Sequence, residues 1–483
     1  MANNYKTPGV YVEEISLLPP SVAQVETAIP AFIGYTQNDS YNGLSLVNKP
    51  RRIRSLKDFE EIFGLPLQTE FHNGDSSAGI KIKEESGEFI LDENLEDPYD
   101  DLEFRMHYCL QIYFANGGGP CYIISCGKYS DADFTKSDQM EEALAALRKE
   151  DEPTMIVFTD AVSLDKGDFY SLNKLALIQA GELMDRVVIA DLWKESSDEL
   201  NDVIDGFRTG IGNNNLSYCA AYYPWLKTTL SYFADESQVN ISGGTGDLND
   251  VEVLRKFPEP GKTEVEEPEK SLYHMNSELY AVIKRQMSRF RVILPPAAAI
   301  AGVYATVDRT RGVWKAPANV SLNMVREVTE KLDNEDQRDM NVTMSGKSIN
   351  AIRFFTGRGF MVWGARTLAG NDNEWRYVSV RRFYNMVEES VKKSTEPFVF
   401  EPNDANTWVK VRAMIENFLI LQWRAGALQG AKADDAFFVR VGLGETMTAQ
   451  DILEGRMIVE IGMAVVRPAE FIILRFSHKM AVS

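Results

Sequence analysis

Apolar and polar residues alternate in blocks between Asp97 and Pro224, and the blocks predict a repeated order of helix and strand. Amphipathic runs such as QMEEALAALRKE and YSLNKLALIQAGELM have helical spacing, and each precedes a short, continuously apolar run. The apolar runs CYIIS, MIVFTD, VVIAD and YCAAYYP are typical of strands buried on both faces. Such strands separated by helices predict a parallel sheet covered by helices on both sides. The fold class is therefore α/β, with a central doubly wound domain.

Two polar stretches interrupt this pattern. The stretch from Leu67 to Asp101 is acidic and contains a predicted hairpin in GIKIKEESGEFIL. The stretch from Ser237 to Lys270 contains ISGGTGD and PEPGKTEVEEPEK, a composition that predicts little buried apolar surface. We expect both to be insertions at the surface.

The pattern changes after about Ile349. The runs IRFFTGRGFMVWGART and WRYVSVRR predict short strands, and a strong helix follows, capped by Asn406 or Thr407. An apolar stripe on that helix consists of Trp408, Val411, Ile415, Phe418 and Leu419. We therefore predict an N-terminal arm (1–25), an α/β domain (26–348), a C-terminal α+β domain (349–469) and a C-terminal arm (470–483).

Both ends of the chain carry an isolated strand pattern. YKTPGVYVEEI, from Tyr5 to Ile15, is nearly alternating and rich in β-branched residues, and RPAEFIILRFS follows a proline near the other end. A lone strand cannot satisfy its own backbone donors and acceptors. Two interpretations stay open from the residues alone: each strand folds back on its own sheet or frays, or it pairs with another chain.

The composition limits the environment and the partners. The chain has 483 residues and a net charge of -20, which disfavours direct contact with nucleic acid. Acidic residues far outnumber basic ones before Met275, whereas basic residues are in slight excess after it. Four cysteines fit a reducing cytoplasm, the start MANNYKTPG has no secretion pattern, and the apolar stretch LPPAAAIAGVYATV is too short to span a bilayer.

No candidate motif for catalysis or cofactor binding has the residues and spacing that its chemistry needs. PGKT, which begins at Pro260, lacks the glycine that a phosphate-binding loop needs five positions before its Gly-Lys, because that position is Lys256. SGGTG and NGGGP favour turns, with Gly117 ending a helix. The residues His107, Cys109, Cys121 and Cys126 lack the spacing of a zinc site, so we expect buried thiols. We expect no catalytic, cofactor or metal residues and no enzyme activity.

Several long segments, in order, resemble contractile tail sheath proteins of phages, R-type pyocins and extracellular contractile injection systems. They begin with TPGVYVEE and AIPAFIGYT near the start, and continue with LPPAAAIAGVYATVDRTRGVWKAPAN from Leu294. FMVWGARTL, WRYVSVRRF, FEPNDANTWVKVR, GALQGAKADDAFFVRVG and AVVRPAEFIILRF follow. The middle α/β domain fits this family by its pattern only.

The resemblance implies a structural subunit that polymerises as stacked hexameric rings around an inner tube and contracts to drive the tube through a target envelope. It also implies that the arms, Gly9 to Ile15 and Glu470 to Ser477, add as strands to sheets of neighbouring subunits, and that the N-terminal arm helps to complete the C-terminal sheath core domain. The residues implied in strand exchange are Val10, Tyr11, Val12, Glu13, Ile15, Phe471, Ile472, Ile473, Leu474 and Phe476.

Further roles follow from the same resemblance. The helix from Trp408 to Ala425 resembles the segment that faces the tube, with Lys410, Arg412 and Arg424 as candidate contacts to acidic tube residues, unless they are simply exposed or pair internally with Glu401 and Glu416. Pro19, Pro20 and Pro468 are hinge candidates.

The expected partners are other copies of the chain, the inner tube protein, and baseplate and terminator or cap proteins, with no direct contact to nucleic acid or membrane. Assembly is expected in the bacterial cytoplasm, followed by incorporation into a phage virion or release as a phage tail-like particle. Two alternatives remain: a minor sheath-like ring near the baseplate or at the end of the sheath and, more distantly, an α/β enzyme.

Overall fold

The computed structural model describes residues 22–74, 79–99, 102–195, 198–256 and 266–475. Contacts divide this part of the chain into two units. The smaller unit consists of 22–25 and Met386–Val466, and the larger unit of Glu26–Asn385 and 467–475. Each unit is thus assembled from stretches that are distant in the sequence.

A mixed sheet forms the centre of the larger unit and has nine strands in the described residues. Its six middle strands are parallel, and the strands at both edges are antiparallel to their neighbours. In spatial order the strands are Val320–Ser321 (β14), Gly359–Val362 (β17), Ile349–Phe355 (β16), Cys219–Tyr223 (β10), Val187–Asp191 (β9), Met155–Phe158 (β8), Pro30–Thr36 (β1), Cys121–Lys128 (β7) and Arg51–Ile53 (β4).

Successive residues of β1 show that both faces of this sheet are covered. Phe32 packs in one apolar cluster, with Ile123 of β7, while Ile33 packs in a second cluster, with Ile124. Side chains alternate between the faces of a strand, so a strand that is apolar throughout needs a core on each side. The predicted parallel α/β domain is confirmed, and so are its four predicted strands β7, β8, β9 and β10.

The larger unit also contains ten helices in the described residues, the last of which continues into the smaller unit. Four of them, α2 to α5, correspond to the predicted amphipathic runs. The helices are Leu56–Phe63 (α1), Met106–Ala115 (α2), Asp138–Leu147 (α3), Lys166–Leu183 (α4), Leu200–Gly210 (α5), Leu272–Met275 (α6), Ser277–Met287 (α7), Ala297–Arg311 (α8), Asn334–Asn341 (α9) and Val378–Thr395 (α10). None of the helices in the described ranges is long and apolar enough to cross a membrane.

The two polar insertions pack together in one small sheet. The predicted hairpin is present as Ile80–Glu85 (β5) and Glu88–Leu91 (β6), and Ile241–Ser242 (β12) of the second insertion pairs with β5. The expectation that the second insertion buries little apolar surface is wrong: Val239, Ile241, Leu248, Val251 and Leu254 are all buried. They belong to the same apolar cluster as Ile80 and Ile82 of β5 and Leu272, and these partners lie outside the second insertion.

Two smaller strand groups complete the larger unit. Leu226–Thr228 (β11) lies between Ile293–Leu294 (β13) and Val325–Val328 (β15), and Ser40–Tyr41 (β2) pairs with Leu44–Ser45 (β3).

The second stretch of the smaller unit begins within α10. Two predictions for the chain around this point are corrected. The boundary expected at Ile349 is wrong because β16 joins the nine-stranded sheet between β10 and β17. The strand predicted in WRYVSVRR is wrong because its second half, from Val378, is the first turn of α10. The other elements of this unit are Ala405–Arg424 (α11), Ala433–Ala436 (α12), Phe437–Arg440 (β18), Ala449–Leu453 (α13) and Glu460–Met463 (β19).

Helix α11 is the strong helix predicted after Ile349, but its cap differs. Asp404, rather than Asn406 or Thr407, is the N-cap residue, and its side chain accepts a hydrogen bond of 3.0 Å from the Thr407 N–H. A carboxylate at this position also interacts favourably with the positive end of the helix dipole.

Candidate assembly surfaces

The C-terminal arm presents a continuous apolar surface to solvent. Phe471, Ile472, Ile473 and Leu474 are between 69% and 80% exposed. The described part of the arm, 470–475, is not assigned to any strand of its own chain. Four adjacent exposed apolar side chains with an unpaired backbone are typical of a segment that is covered by another chain. Phe476, predicted to belong to the same strand, lies outside the described residues.

Within the described residues, the hydrogen bonds that attach the arm to the rest of the larger unit all involve Glu470. The guanidinium of Arg366 donates to it from Nη2 to Oε2 at 2.6 Å and from Nε to Oε1 at 2.9 Å, while Asn341 donates at 2.7 Å and the Tyr377 hydroxyl at 3.2 Å. Burial raises the pKa of Glu470, but the hydrogen bonds from Arg366 and Asn341 outweigh it and hold this pKa below its usual value. We call these four side chains the Glu470 clamp.

The predicted N-terminal strand (Val10, Tyr11, Val12, Glu13 and Ile15) and the hinge candidates Pro19 and Pro20 lie outside the described residues. The described chain begins at Val22, which is buried. In the smaller unit the Val25 N–H donates to Ser390 Oγ at 3.1 Å, and Gln422 donates to Gln24 at 3.1 Å. The first described residues of the N-terminal segment therefore contact α10 and α11.

The smaller unit contains a sheet of only two strands. β18 and β19 pair in antiparallel register from Phe437–Met463 to Arg440–Glu460, and no third strand of the described chain pairs with either. The rings of Phe437 and Phe438 lie on opposite faces, and Phe438 covers Gly462 of β19 so closely that a methyl group there would meet its ring at 2.2 Å. An isolated two-stranded sheet is marginally stable, so its outer edges are suited to accept further strands.

The three candidate cations on α11 differ in their surroundings. Lys410 and Arg424 are exposed, and neither forms an ion pair in the described part of the chain. Arg412 is half-buried and donates from Nη2 to Glu445 at 2.7 Å and to the Val441 carbonyl at 2.8 Å. Internal pairing, the alternative considered for these cations, therefore applies to Arg412, with Glu445 as its partner.

The crevice at the carboxyl ends of the parallel strands, where α/β enzymes often bind ligands, holds an internal polar network. Asp160 follows β8 and accepts hydrogen bonds from the Arg105 and Tyr35 N–H groups at 2.6 and 2.7 Å, and Asp191 ends β9 and accepts from the Ala297 N–H of α8 at 2.8 Å. Burial raises the pKa of Asp160 to about 6 and that of Asp191 to about 8, although the Arg105 charge opposes both shifts. These carboxyl groups stabilise chain turns and a helix start.

The remaining candidate motifs occupy ordinary structural positions. Cys109, Cys121 and Cys126 are buried free thiols, as predicted, and His107 contacts Glu60 at 3.0 Å. Gly117 follows α2 with φ of 89°, the left-handed helix end that was expected there. SGGTG includes the end of β12, and PGKT lies outside the described residues. The described residues contain no cluster able to hold a metal ion.

Sequence reasoning missed Arg366 and the role of Glu470. Each is a charged residue in an otherwise apolar run, GARTL and PAEFIIL, and charged side chains in such runs are rarely buried without a partner. That signal identifies each residue as one half of an ion pair, but it does not identify the partner.

Comparisons with known proteins agree with this geometry. Residues 370–479 match the family model of the phage tail sheath C-terminal domain. The tail sheath protein of Enterobacteria phage T4 is 27% identical over 126 residues, which are 26% of this chain and 19% of the T4 protein. The matched region is thus under a fifth of the length of that relative.

Solved structures match over almost the whole length. A chain in the structure of the anti-feeding prophage baseplate is 30% identical, covers 99% of this chain and 100% of its own length, and superposes with a TM-score of 0.63. A chain of the contracted helical sheath of the anti-feeding prophage is 29% identical, with coverage of 98% and 100% and a TM-score of 0.62. With the sheath segments in order, the matching C-terminal model and this shared fold, the chain belongs to the contractile tail sheath protein family.

Proposed function

We propose that this protein is the subunit of a contractile sheath, which polymerises as stacked hexameric rings around an inner tube and contracts to drive that tube through a target envelope. The observation that carries the proposal is the apolar arm from Phe471 to Leu474, which is exposed and unpaired in its own chain. The similarity to a contracted helical sheath over 98% of the chain supports the same function.

The arms connect neighbouring copies by adding strands. The donors are Val10, Tyr11, Val12, Glu13 and Ile15 of the N-terminal arm and Phe471, Ile472, Ile473, Leu474 and Phe476 of the C-terminal arm. The open edges of the sheet formed by β18 and β19 are suitable acceptors. Each added hydrogen bond contributes only about 0.5–1.5 kcal/mol, but the network repeats through every subunit.

Helix α11 faces the inner tube. Lys410 and Arg424 supply exposed cations without ion-pair partners in the described chain. Arg412 contacts the tube only when its ion pair with Glu445 breaks. Such contacts are weak and screened by salt, which suits a surface that must detach during contraction.

Contraction in this proposal needs no nucleotide. The extended sheath is metastable, subunits move as nearly rigid bodies, and the arms keep neighbours connected, with Pro19, Pro20 and Pro468 as hinges. The sheath is built in the bacterial cytoplasm on a baseplate, is closed by a terminator protein, and then forms part of a virion or a released tail-like particle.

A minor ring near the baseplate is the second candidate, because a 30% identical chain comes from a baseplate structure. The two functions differ in whether the protein polymerises alone. Negative-stain electron microscopy of the purified chain tests this: long striated hollow cylinders support the main sheath subunit, and short closed rings support the minor ring. Monodisperse single subunits at all concentrations and salt conditions would contradict both.

A further inference from the structure

The Glu470 clamp lies where the C-terminal arm leaves the folded chain. Upstream, the Val466 N–H donates to the Ala427 carbonyl at 3.0 Å within the smaller unit. Downstream, the apolar residues from Phe471 onward are exposed. Only 467–469 separate the last contact in the smaller unit from Glu470, which is bound to the larger unit.

The clamp is firmly connected to the nine-stranded sheet. The backbone N–H of Arg366 donates to Asn350 Oδ1 at 2.8 Å, and its carbonyl accepts from Asn350 Nδ2 at 2.8 Å. Asn350 is fully buried in β16, and Arg366 itself is 4% exposed. The Arg366 Nη1 also donates to the Asn341 carbonyl at 3.2 Å. The bidentate pair is therefore held by residues whose own positions are fixed.

Packing contributes little to this attachment. Phe471 and Ile472 border a cavity of about 610 Å³ beside α9 and the segment that follows β17, and they remain 69% and 80% exposed. The arm is thus retained by the polar contacts of Glu470, and not by burial of the residues that follow it.

We propose that the Glu470 clamp is the mechanical anchor of the C-terminal arm: it passes tension on the arm to Arg366 and the nine-stranded sheet, and so protects β18 and β19 from being pulled apart. The inference rests on the proposed function, since tension arises when another copy holds the arm. Without the clamp, tension passes through 467–469 to the segment that follows β19, and a two-stranded sheet resists it poorly.

Single-molecule pulling on the full-length chain tests the anchor without requiring a sheath. One handle is attached through Lys174→Cys, an exposed position on α4, and the other after Ser483; the four native cysteines are buried and do not compete for labelling. In this geometry the clamp is loaded before the smaller unit. The protein that carries only Lys174→Cys should show a short first extension when Glu470 is released. A longer extension should follow when the smaller unit opens.

Three variants complete the test. Glu470→Gln should lose the short first event, so that the smaller unit opens first and at lower force. Glu470→Asp keeps the charge but is one methylene shorter, and it should lower the force of the first event. Glu182→Gln is the control. It breaks an exposed ion pair with Arg148 whose N–O distance, 2.7 Å, is similar to that of the Arg366–Glu470 pair, and it should behave like the wild type.

An unchanged first event in Glu470→Gln would overturn the anchor, and so would a wild-type trace in which the smaller unit opens before any short event. Neither result bears on sheath formation, which the cylinder assay decides separately.

Discussion

Arg382 of α10 and Asp308 of α8 form a buried ion pair, with Nη1 and Nη2 of the arginine at 2.9 and 2.5 Å from the two carboxylate oxygens. Their side chains are 3% and 6% exposed. The same Arg382 donates to the Thr27 carbonyl at 2.7 Å, and the Thr27 hydroxyl donates to Asp308 at 2.6 Å. The pair therefore joins two helices to the segment that leads into β1.

Arg382→Met should destabilise the larger unit strongly. Removing one partner leaves the Asp308 carboxylate buried without its counter-ion, which typically costs about 3–5 kcal/mol. Urea unfolding followed by circular dichroism measures the loss. Arg148→Met, which breaks the exposed pair with Glu182, is the matched control and should cost less than about 1 kcal/mol. Equal losses in the two variants would contradict the structural role of the buried pair.

The stability should also depend on pH through Asp191. Burial raises its pKa to about 8, so between pH 6 and 8 the folded state retains a proton that the unfolded state has released. The stabilisation from this group is complete below the unfolded pKa and declines as the pH rises toward 8, by at most about 1.4 kcal/mol per pH unit.

Asp191→Asn should remove this part of the slope while it keeps an acceptor for the Ala297 N–H. Urea unfolding of both proteins at pH 6 and pH 8 gives the comparison. If the two proteins lose the same stability between these pH values, Asp191 is not the group responsible.

The sequence predicts the local elements of the α/β domain better than their long-range arrangement. The runs that form β7, β8, β9 and β10 are recognisable because a strand buried on both faces is apolar throughout. That β1 lies between β7 and β8 was not predicted, since the pairing of Ile33 with both Ile124 and Phe158 leaves no local signal.

Helix α10 begins within a run whose alternating pattern predicts a strand, and its side-chain contacts explain the difference. WRYVSVRR alternates like a strand, yet Arg381 stacks on Trp375 at 4.0 Å and Arg382 pairs with Asp308, contacts that the helical backbone makes possible. The buried residues of the second insertion have a similar cause, because they pack in one cluster with Ile80 and Ile82 of β5, which are distant in the sequence.

For the assembly surfaces, the sequence predicted an isolated strand pattern at the C-terminal end, but it predicted neither the exposure of the arm nor its anchor. The Arg366–Glu470 pair joins residues that are 104 positions apart, and no periodicity records such a contact. Arg412 pairs internally, whereas Lys410 and Arg424 do not. This difference could be seen only in the structure, because the partner of Arg412, Glu445, lies 33 positions further along the chain.

The small sheet of the smaller unit should be sensitive to one glycine. A methyl group at Gly462 would lie 2.2 Å from the Phe438 ring, so Gly462→Ala must displace a half-exposed aromatic side chain from its neighbour strand. Overpacking of this kind typically costs about 1–3 kcal/mol. Gly442→Ala is the control, because its new methyl group meets no atom closer than 3.4 Å. Thermal unfolding of the two variants should therefore differ, and equal melting temperatures would contradict the close contact.

Reversing the exposed cations of α11 should weaken assembly on the inner tube. Lys410→Glu combined with Arg424→Glu breaks no ion pair of the described chain, so the fold should be retained, but the new carboxylates repel an acidic tube surface. Cosedimentation with assembled tubes at 50 and 300 mM salt measures the effect, which should be larger at low salt. Lys432→Glu, a charge reversal at another exposed position of the smaller unit, should bind like the wild type. Equal binding by all three proteins would remove α11 from the tube contact.

The central claim is that copies of this chain are joined into a sheath by strands exchanged through their arms. Negative-stain electron microscopy of the full-length protein beside a version that lacks Met1 to Ser16 tests it most directly. The account predicts striated hollow cylinders from the full-length chain, and folded but dispersed subunits from the truncated one. Cylinders of equal length and yield from both proteins would contradict the exchange of the N-terminal strand.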